Sequence, residues 1–549
     1  MTILQWIKKK ILGIVGLSHE DVPNAEDRLT FINDSEKISR TKIQEYNVWY
    51  SGDGDELLNF YTHTNLLEYN YEPWFARNKR NYFWSISSTE NDIKRTHSGQ
   101  PRNIVDTLVA IMKYPTIRAG SLNKDMKVDE NLQNILKASG IKNIYKNQQM
   151  PMTLVEGWGC YKINWDLDIS DYPFAVYYRA ANVDFIYAAG RIIGVIFKDY
   201  YVNEDKRYLL TETRRTEYDP KKKQRFLVIE KELFEANKDN EYVTKVDFNN
   251  VPELKEVHPY IKIGPFNELL AVPCIFFENN DGTSGYGRSI FTGKVDLFDD
   301  LDQCLSQASN AVRRSTPIEY FNTDYLERDS KTGLPKQPKA FDRKYTMYAG
   351  QKNADGVSGD GNPVQVTQPE ITFQQYSDQA IQIMLQIING LMSPATLGID
   401  IAKKDNAEAQ REKEKVTIFT RNVITDVETD ILKSLCSQLL CAYEFIRKEK
   451  ITCKEYEISV KYSEFADDSF ENKLSVLAEA FDSQNISEEM FMTKLYGDTL
   501  TKAEWDKELQ WLKKNHTQPK VDGMKGIAGG GANLPGMMDG IDGDDEAEL

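Results

Sequence analysis

Apolar positions along the chain change from a helical to an alternating spacing and then back again. Residues 102–115 show the helical period, with apolar side chains at Ile104, Leu108, Ile111 and Met112. A spacing of three to four residues places these side chains on one face of a helix. From about 153 to 277, short β-branched and aromatic runs between charged or glycine-containing turns replace this period, which predicts hairpins. We therefore expect a helical segment followed by a β-rich module, in an α+β fold.

Two further helices are predicted on either side of a short insert. The first, over 291–314, has its apolar stripe at Val295, Phe298, Leu301, Leu305, Ala308 and Val312. The second, over 373–391, has its stripe at Ile381, Met384, Leu385, Ile388 and Leu391. Between them, residues 315–372 hold three short strand candidates, PIEYFN, KYTMYAG and PVQVTQPE. The pattern indicates two helices joined through a small β-containing insert.

The longest apolar stripe follows a polar loop at 392–405, which contains Gly398, Lys403 and Lys404. A helix over 406–448 would span roughly 60 Å at 1.5 Å per residue. Its apolar positions are Val416, Phe419, Val423, Val427, Ile431, Leu435, Leu439, Tyr443 and Ile446. We expect the stripe after Val416 to serve packing, and a helix of this length suits a spoke through a large assembly.

The two ends of the chain differ from the rest. Residues 1–35 contain an amphipathic run interrupted by three lysines, so we expect no signal peptide. A helix that docks on a partner or on the body is favoured, and a membrane-surface anchor is the alternative. No stretch approaches the ~20 apolar residues of a membrane span, so we expect a cytosolic chain. A strand is predicted within 456–465 and helices over 465–515. Residues 516–549 are rich in glycine and acidic residues, and we expect them to be disordered.

Length and charge limit the possible functions. A chain of 549 residues is too long for one compact core, and its hydrophobic fraction of 40% is enough for packed interiors. The formal net charge of −16 argues against tight binding of nucleic acid through a large basic face. It is compatible with a protein that lets nucleic acid slide past.

Neither a cofactor nor a catalytic site is predicted. The six cysteines form no CxxC pair and the five histidines are isolated, so we expect no metal site and scattered buried thiols. Gly293 and Lys294 suggest a phosphate-binding loop, but Arg288 stands where the Walker pattern requires its first glycine and Val295 stands where it requires serine or threonine. We therefore expect no nucleotide site and no enzymatic turnover.

Four aspartates in the first turns of the predicted helix over 291–314 allow two interpretations. Asp296, Asp299, Asp300 and Asp302 would match the positive end of the helix dipole and be solvated, while Arg313 and Arg314 would match its negative end. Alternatively, Asp299, Asp300 and Asp302 could ligate Mg²⁺ in a nuclease. No third ligand motif accompanies them, which favours the first interpretation.

The ordered set of these elements resembles the portal proteins of tailed bacteriophages, and the long-chain portals of siphophage type in particular. The segments that carry the resemblance are RTHSGQPRNIVDTLVAIM at 95–112, GRSIFTGKVDLFDDLDQCLSQASNAVRRSTPIEY at 287–320, LMSPATLGIDIAKKDNAEAQREKEK at 391–415 and ISEEMFMTKLYGDTLTKAEWDKELQWL at 486–512. Together they extend over about 36 to 515. No single motif is as sharp as a Walker sequence, and the order of the pieces carries the resemblance.

The resemblance implies a division of the chain into the parts of a portal. After an N-terminal arm at 1–35, the wing would occupy 36–290, the two stem helices 291–314 and 373–391, and the clip 315–372 between them. The tunnel loop would be 392–405, the long wing helix with its strand 406–464, and the crown 465–515, followed by the tail at 516–549.

The same resemblance implies a homo-dodecameric ring at one capsid vertex of the virion, assembled in the host cytoplasm, through which double-stranded DNA is packaged and ejected. Expected partners are the large terminase subunit, the major capsid and scaffolding proteins, and the head–tail adaptor or neck proteins, without a membrane. Lys403 and Lys404 would contact DNA transiently in the channel, Arg313 and Arg314 would lie at the stem end, and Arg343 and Lys344 would serve docking on the clip. The alternatives are the metal-dependent phage nuclease and a different ring-forming head–tail connector.

Overall fold

The computed structural model describes the chain in blocks: residues 34–63, 82–85, 93–120, 126–203, 206–236, 242–264, 266–279, 286–315, 318–322, 326–336, 344–348, 364–367, 373–399, 414–447, 456–463, 477–478, 481, 487–496 and 502–516. The chain divides into two compact units, Met1–Phe465 and Ala466–Leu549. The N-terminal arm, the tunnel loop residues from 400 to 405 and the acidic tail lie outside the described residues.

The first unit begins with a helical segment, as the sequence predicts. Its helices are α1 (Asp34–Ser51), α2 (Gly54–His63), α3 (Gln100–Ile111), α4 (Met126–Ala138), α5 (Ile141–Ile144) and α6 (Met150–Glu156). A π-helical turn, Tyr145–Gln149, joins α5 to α6. The apolar positions Ile104 and Leu108 of α3 are buried, as is Met112 at its C-terminal end, so the helical period identified the face that packs.

The β-rich module consists of two antiparallel sheets and a short ribbon. Its strands are β1 (Thr116–Ala119), β2 (Trp158–Asn164), β3 (Phe174–Arg179), β4 (Val183–Ala188), β5 (Arg191–Asn203), β6 (Lys206–Asp219), β7 (Gln224–Ala236), β8 (Tyr242–Val246), β9 (Tyr260–Ile263) and β10 (Ala271–Ile275). Strands β4 to β8 form a meander in chain order, with β9 also paired to β7, and β10, β2 and β3 form the second sheet. This module and the helices confirm the α+β class.

One ion cluster joins the two sheets. Arg214 on β6 donates to the backbone oxygens of Ile163 (2.8 Å) and Leu270 (2.6 Å), which belong to the second sheet and its edge. Its Nε donates to Glu212 at 2.7 Å, and Lys162 reaches the same carboxylate at 3.1 Å. Burial favours the neutral form of Glu212, but Arg214, Lys162 and Lys231 outweigh burial and lower its pKa to about 2. The cluster therefore holds a buried carboxylate in its charged form.

Gly157 and Gly287 form a close contact between two backbone segments. A Cβ on Gly287 would lie 2.1 Å from the carbonyl oxygen of Gly157, and one on Gly157 would lie 2.7 Å from the oxygen of Gly287. Gly157 also has φ of +93°, which strains other residues. The two strands of chain can approach only because both residues lack a side chain.

The remaining elements of the first unit are α7 (Val295–Arg314), β11 (Ile318–Asn322), β12 (Lys344–Tyr348), β13 (Val364–Thr367), α8 (Phe373–Ile388), α9 (Lys415–Arg447) and β14 (Ile458–Lys461). Helix α7 begins later than 291 because residues up to Lys294 form a turn in which Gly293 has φ of +75°. Helix α8 ends before 391 because Gly390 adopts φ of +75°. β14 pairs with β1, which connects the end of the first unit to its helical segment.

The second unit contains α10 (Glu488–Tyr496) and α11 (Lys502–His516). Phe491, Met492 and Leu512 form its buried cluster, with Leu509 and Trp505 packed against them. The predicted apolar face of Trp505, Leu509 and Leu512 is therefore the face that packs within this unit.

The expectation of scattered buried thiols holds at four positions and is wrong at one. Cys160, Cys274, Cys304 and Cys436 are free and buried, whereas Cys441 is disulfide-bonded. Sequence spacing offered no sign of this bond, since bonded cysteines need only be close in space. None of the helices within the described ranges is long and apolar enough to cross a bilayer.

Helix α9 carries a buried carboxyl group in the main core. Glu428 has no exposed surface, and its Oε2 accepts a hydrogen bond from Gln149 Nε2 at 2.9 Å. Its Oε1 has no hydrogen-bond partner within the described structure. Burial raises the pKa of Glu428 to about 8, and the hydrogen bond from Gln149 offsets only part of this effect. At neutral pH the folded protein therefore holds this carboxyl group in its protonated form.

We predict that Glu428→Gln removes a pH dependence of stability. Between the ordinary pKa of 4.5 and the folded value of about 8, the folded state binds one proton more than the unfolded state. The free energy of unfolding of the parent should therefore fall as pH rises through this window, by at most ~1.4 kcal/mol per pH unit from this group. Urea unfolding followed by tryptophan fluorescence at several pH values measures this slope. The exposed control Glu130→Gln should keep the parental slope, and an unchanged slope in Glu428→Gln would contradict the prediction.

Candidate functional site

The two helices α7 and α8 form an antiparallel pair. Lys294, just before α7, donates from Nζ to the backbone oxygen of Asn389, just after α8, at 3.1 Å. Further along, the Cys304 thiol donates to the backbone oxygen of Tyr376 at 3.2 Å. Contacts at both 294–389 and 304–376 require that the helices run in opposite directions. Burial lowers the pKa of Lys294.

A small sheet lies at the other end of this helix pair. Strand β11 follows α7, and β13 precedes α8. β11 is central: it pairs in parallel with β12 and antiparallel with β13. All three strands were predicted from the sequence, and the parallel pairing of β11 with β12 was not.

Helix α7 binds the body of the first unit through a polar stripe. Asp299 accepts from the backbone amides of Phe83 (2.7 Å) and Trp84 (3.3 Å). One turn on, Asp302 accepts from the Ser98 amide at 2.8 Å and from Trp84 Nε1 at 3.0 Å, and it contacts His97 Nδ1 at 2.6 Å. Ser306 accepts from the Thr96 amide at 2.9 Å. The three residues follow helical spacing, so one face of α7 holds two backbone segments.

This arrangement corrects the interpretation of the aspartates. Asp299 and Asp302 are buried and bonded to amides, so they are not solvated residues that match the helix dipole. Burial raises the pKa of Asp299 to about 7, although its two amide hydrogen bonds lower it. Only Asp296 and Asp300 are exposed.

The same hydrogen bonds argue against the interpretation of these aspartates as Mg²⁺ ligands. The oxygens of Asp299 and Asp302 already accept hydrogen bonds, while Asp300 points to solvent. Among the residues that the structure describes, no group of three or more His, Cys, Asp and Glu side chains is placed to hold a metal ion.

The segment that follows α8 is hydrogen-bonded to the first turn of α9. The Ser393 amide donates to Thr417 Oγ1 on the first turn of α9 at 2.8 Å, and the Thr396 and Thr417 hydroxyls lie 2.7 Å apart. Ser393 and Thr417 are both buried. The chain between Ile399 and Glu414 therefore starts and ends at one anchored junction, beside the body end of the helix pair.

The first turns of α9 expose apolar side chains. The predicted stripe is buried at Ile431, Leu435, Leu439 and Tyr443, but Val416 is 44% exposed and Phe419 is 70% exposed. Within one chain the stripe is therefore covered over its later part and exposed at its start. Thr417, Thr420 and Arg421 occupy the inner face there, and Arg421 donates to the Ser463 backbone oxygen.

The predicted site residues are placed as follows. Lys403, Lys404 and Arg343 lie outside the described residues. Arg313 is exposed in the last turn of α7, and Arg314 is its final residue. Lys344 is the first residue of β12, in register with Ile318. Arg313 and Arg314 thus stand where the helix pair meets the small sheet, and their role at a stem end stays a prediction.

Sequence reasoning missed the residues that anchor these elements. His97, Ser306 and Thr417 gave no signal as isolated polar residues. The spacing of Asp299, Asp302 and Ser306 was visible, but a polar stripe on a helix ordinarily faces solvent. Only the buried partner segments reveal its role.

No protein-family model matches the sequence, and no curated protein matches it. Among solved structures, a chain of the "Neck of empty GTA particle computed with C6 symmetry" is similar, with 10% sequence identity and a TM-score of 0.35. The similarity covers 72% of this chain and 89% of that chain. The functional proposal below therefore rests on this chain's own sequence and geometry.

We predict that Asp302→Ala destabilises the first unit by about 3 kcal/mol, because it leaves the Ser98 amide and the Trp84 indole buried without an acceptor. Urea unfolding followed by tryptophan fluorescence measures the loss directly, since Trp84 is one of its partners. Asp300→Ala, on the exposed side of the same helix, is the matched control and should change the free energy of unfolding by less than ~0.5 kcal/mol. Equal losses in the two variants would show that the buried contacts do not anchor α7.

Proposed function

We propose that the protein is a portal protein of tailed-phage type: a homo-dodecameric ring at one capsid vertex through which double-stranded DNA enters and leaves. The observation that carries the proposal is the antiparallel pair α7–α8. It bears a small sheet at one end and, at the other, an anchored junction that leads into the long helix α9. This is the order of stem, clip, tunnel loop and long wing helix that the sequence resemblance implies.

Unburied apolar side chains on these helices support self-assembly. Val312 on α7, Phe373 and Ile381 on α8, and Val416 and Phe419 on α9 are each more than 40% exposed. Such residues on slender helices lose contact with water when copies pack side by side. A contact between different faces of neighbouring copies generates a closed ring when its rotation closes.

The basic pair Lys403–Lys404 supports a role for the segment between Ile399 and Glu414 in contacting DNA. Because both ends of this segment are held at Thr417, every copy in a ring would present it at the same height. Duplex DNA carries one charge per ~1.7 Å, so a dense basic ring would hold it, whereas a few lysines on a chain of net charge −16 give weak contact independent of base sequence. Weak contact suits DNA that must move.

In this proposal the sheet β11–β13, with Arg343 and Lys344, docks the packaging ATPase, the large terminase subunit, and later the neck proteins. The wing and crown face the major capsid and scaffolding proteins. The chain has no catalytic turnover and requires no cofactor. A metal-dependent nuclease would need Asp299 and Asp302 free, and their hydrogen bonds weigh against it.

We predict that Phe419→Asp weakens ring assembly without unfolding the protein. Burying a phenylalanine side chain stabilises a contact by about 1.5–3 kcal/mol, so its loss at each interface should weaken association roughly tenfold to a hundredfold. Mass photometry over a concentration series gives the fraction of rings, and circular dichroism checks the fold.

The matched control for this variant is Ile169→Asp, an equally exposed apolar residue (71%) on a loop of the first unit. It should assemble like the parent. A parent protein that remains monomeric at micromolar concentration in low-salt buffer would refute the ring itself.

We also predict that Lys403→Ala with Lys404→Ala impairs DNA packaging more than ring assembly, because a lysine near the axis contacts phosphates and contributes little to packing. Mass photometry measures assembly, and DNA content per capsid measures packaging. Replacing Lys221 and Lys222, on the β6–β7 turn, by alanine removes the same charge and should leave packaging intact. Intact rings with parental packaging in the Lys403–Lys404 variant would exclude the contact, and broken rings would make the segment structural.

A further inference from the structure

A basic pocket of about 640 Å³ lies on the first unit, beside β1 and between α4 and α5. Four cationic side chains line it, Arg118, Lys137, Lys142 and Lys146, and its lining contains no acidic residue. This concentration of positive charge stands out on a chain whose formal net charge is −16.

The charges of the three lysines are not neutralised locally. Within the described structure, Lys137, Lys142 and Lys146 are exposed and have no carboxylate partner. Arg118 differs, because its guanidinium bonds to Asp129 at 3.1 Å. The lysines therefore provide the pocket's available charge.

Helix geometry does not account for this placement. Lys137 lies in the last turn of α4, where the helix dipole favours a cation. Lys142, however, lies in the first turn of the run from α5 to α6, where the dipole disfavours cations, and Lys146 follows four residues later on the same face, where like charges repel. Gly140, with φ of +62°, turns the chain between α4 and α5 so that Lys137 faces this pair. An anion at the pocket would reduce this repulsion.

The floor of the pocket is apolar and aromatic. Tyr114, Ile117 and Leu136 line it, and the Tyr114 ring is fixed edge-on against Tyr145 with centroids 5.3 Å apart. Cations around an aromatic floor are the combination that holds nucleotides, with lysines on phosphates and the ring against a sugar or base. The volume lies in the usual range for ligand sites, about 300–1,000 Å³, and exceeds the needs of a single phosphate.

We propose that this pocket binds the phosphate backbone of a nucleic-acid strand, as a site separate from the Lys403–Lys404 segment. An acidic peptide is the other polyanion to consider. Carboxylates are best bound by the planar fork of an arginine, and the only arginine of the pocket is already engaged by Asp129. Lysines act as point charges toward phosphate, so the contact is independent of base sequence.

The test compares two triple variants of the full-length protein that remove the same charge. One is Lys137→Gln, Lys142→Gln and Lys146→Gln in the pocket. The other is Lys221→Gln, Lys222→Gln and Lys223→Gln on the exposed β6–β7 turn, a basic run of equal charge without a pocket. The probe is a short fluorescein-labelled single-stranded DNA, followed by fluorescence anisotropy over a range of salt concentrations.

We expect the pocket variant to bind this strand at least about tenfold more weakly at moderate salt, with its log–log salt slope reduced by roughly two, since each lost phosphate contact on a single strand removes ~0.7. The turn variant should bind like the parent. Equal weakening in both variants, or none in the pocket variant, would overturn the proposal, as would poly-glutamate that competes with the labelled strand as effectively as unlabelled DNA.

This inference does not depend on the ring. Mass photometry of the same samples reports assembly, so loss of rings in the parent would count against the proposed function while leaving the pocket result interpretable. Conversely, rings that assemble normally while the pocket variant binds DNA like the parent would refute the pocket alone.

Discussion

The hydrogen bonds that Asp299, Asp302 and Ser306 accept from backbone amides at 83–84 and 96–98 are the contact on which the arrangement of the first unit depends. A helix of twenty residues has room for two interaction stripes. On α7 the apolar stripe is shared with α8 and the core, and the polar stripe holds the body. Without the polar stripe, α7 would contact the body of the first unit through its apolar residues alone. Since carboxylates accept amide hydrogen bonds only in a defined geometry, the polar stripe also fixes the rotation of α7 about its axis.

The long helix α9 also combines buried polar contacts with apolar ones. Gln438 accepts from the Ala271 amide at 3.1 Å, and Glu428 accepts from Gln149 at 2.9 Å, so buried polar side chains position the helix along its length. The apolar residues left outside, Val416 and Phe419, are then free to make contacts between copies. Polar and apolar contacts within the chain thus hold α9 in place, and Val416 and Phe419 are the residues that the proposed ring would cover.

Much of the fold could be predicted from periodicity alone. The hairpin strands, the helix–insert–helix order and the buried part of α9 each have a local pattern several residues long. The predictions that failed concern contacts between segments that are distant in the sequence. Whether Asp302 is solvated, or whether Phe419 is covered, depends on which distant segment lies opposite, and periodicity carries no such information. Gly157 and Gly287 illustrate this limit, because the need for a glycine at each position follows from the close approach of the other backbone segment.

The candidate sites show the same limit. The lysine run at 221–223 is conspicuous in the sequence yet occupies a solvated turn. Lys137, Lys142 and Lys146 are inconspicuous because they converge only through the turn at Gly140. The aspartates of α7 were noticed for their charge, but their role depends on amides that a sequence does not display. Local patterns therefore locate elements well, and they locate sites only where the site itself is local.

The junction of Ser393 and Thr396 with Thr417 has a consequence for how the chain can evolve. Because the ends of the segment from 400 to 413 are held together by the body, residues can be inserted or deleted between them without displacing α8 or α9. The entropy of closing such a segment grows only slowly with length, about 0.6 kcal/mol for each doubling. The reach and charge of this segment can therefore be adjusted to a new cargo while the scaffold stays constant.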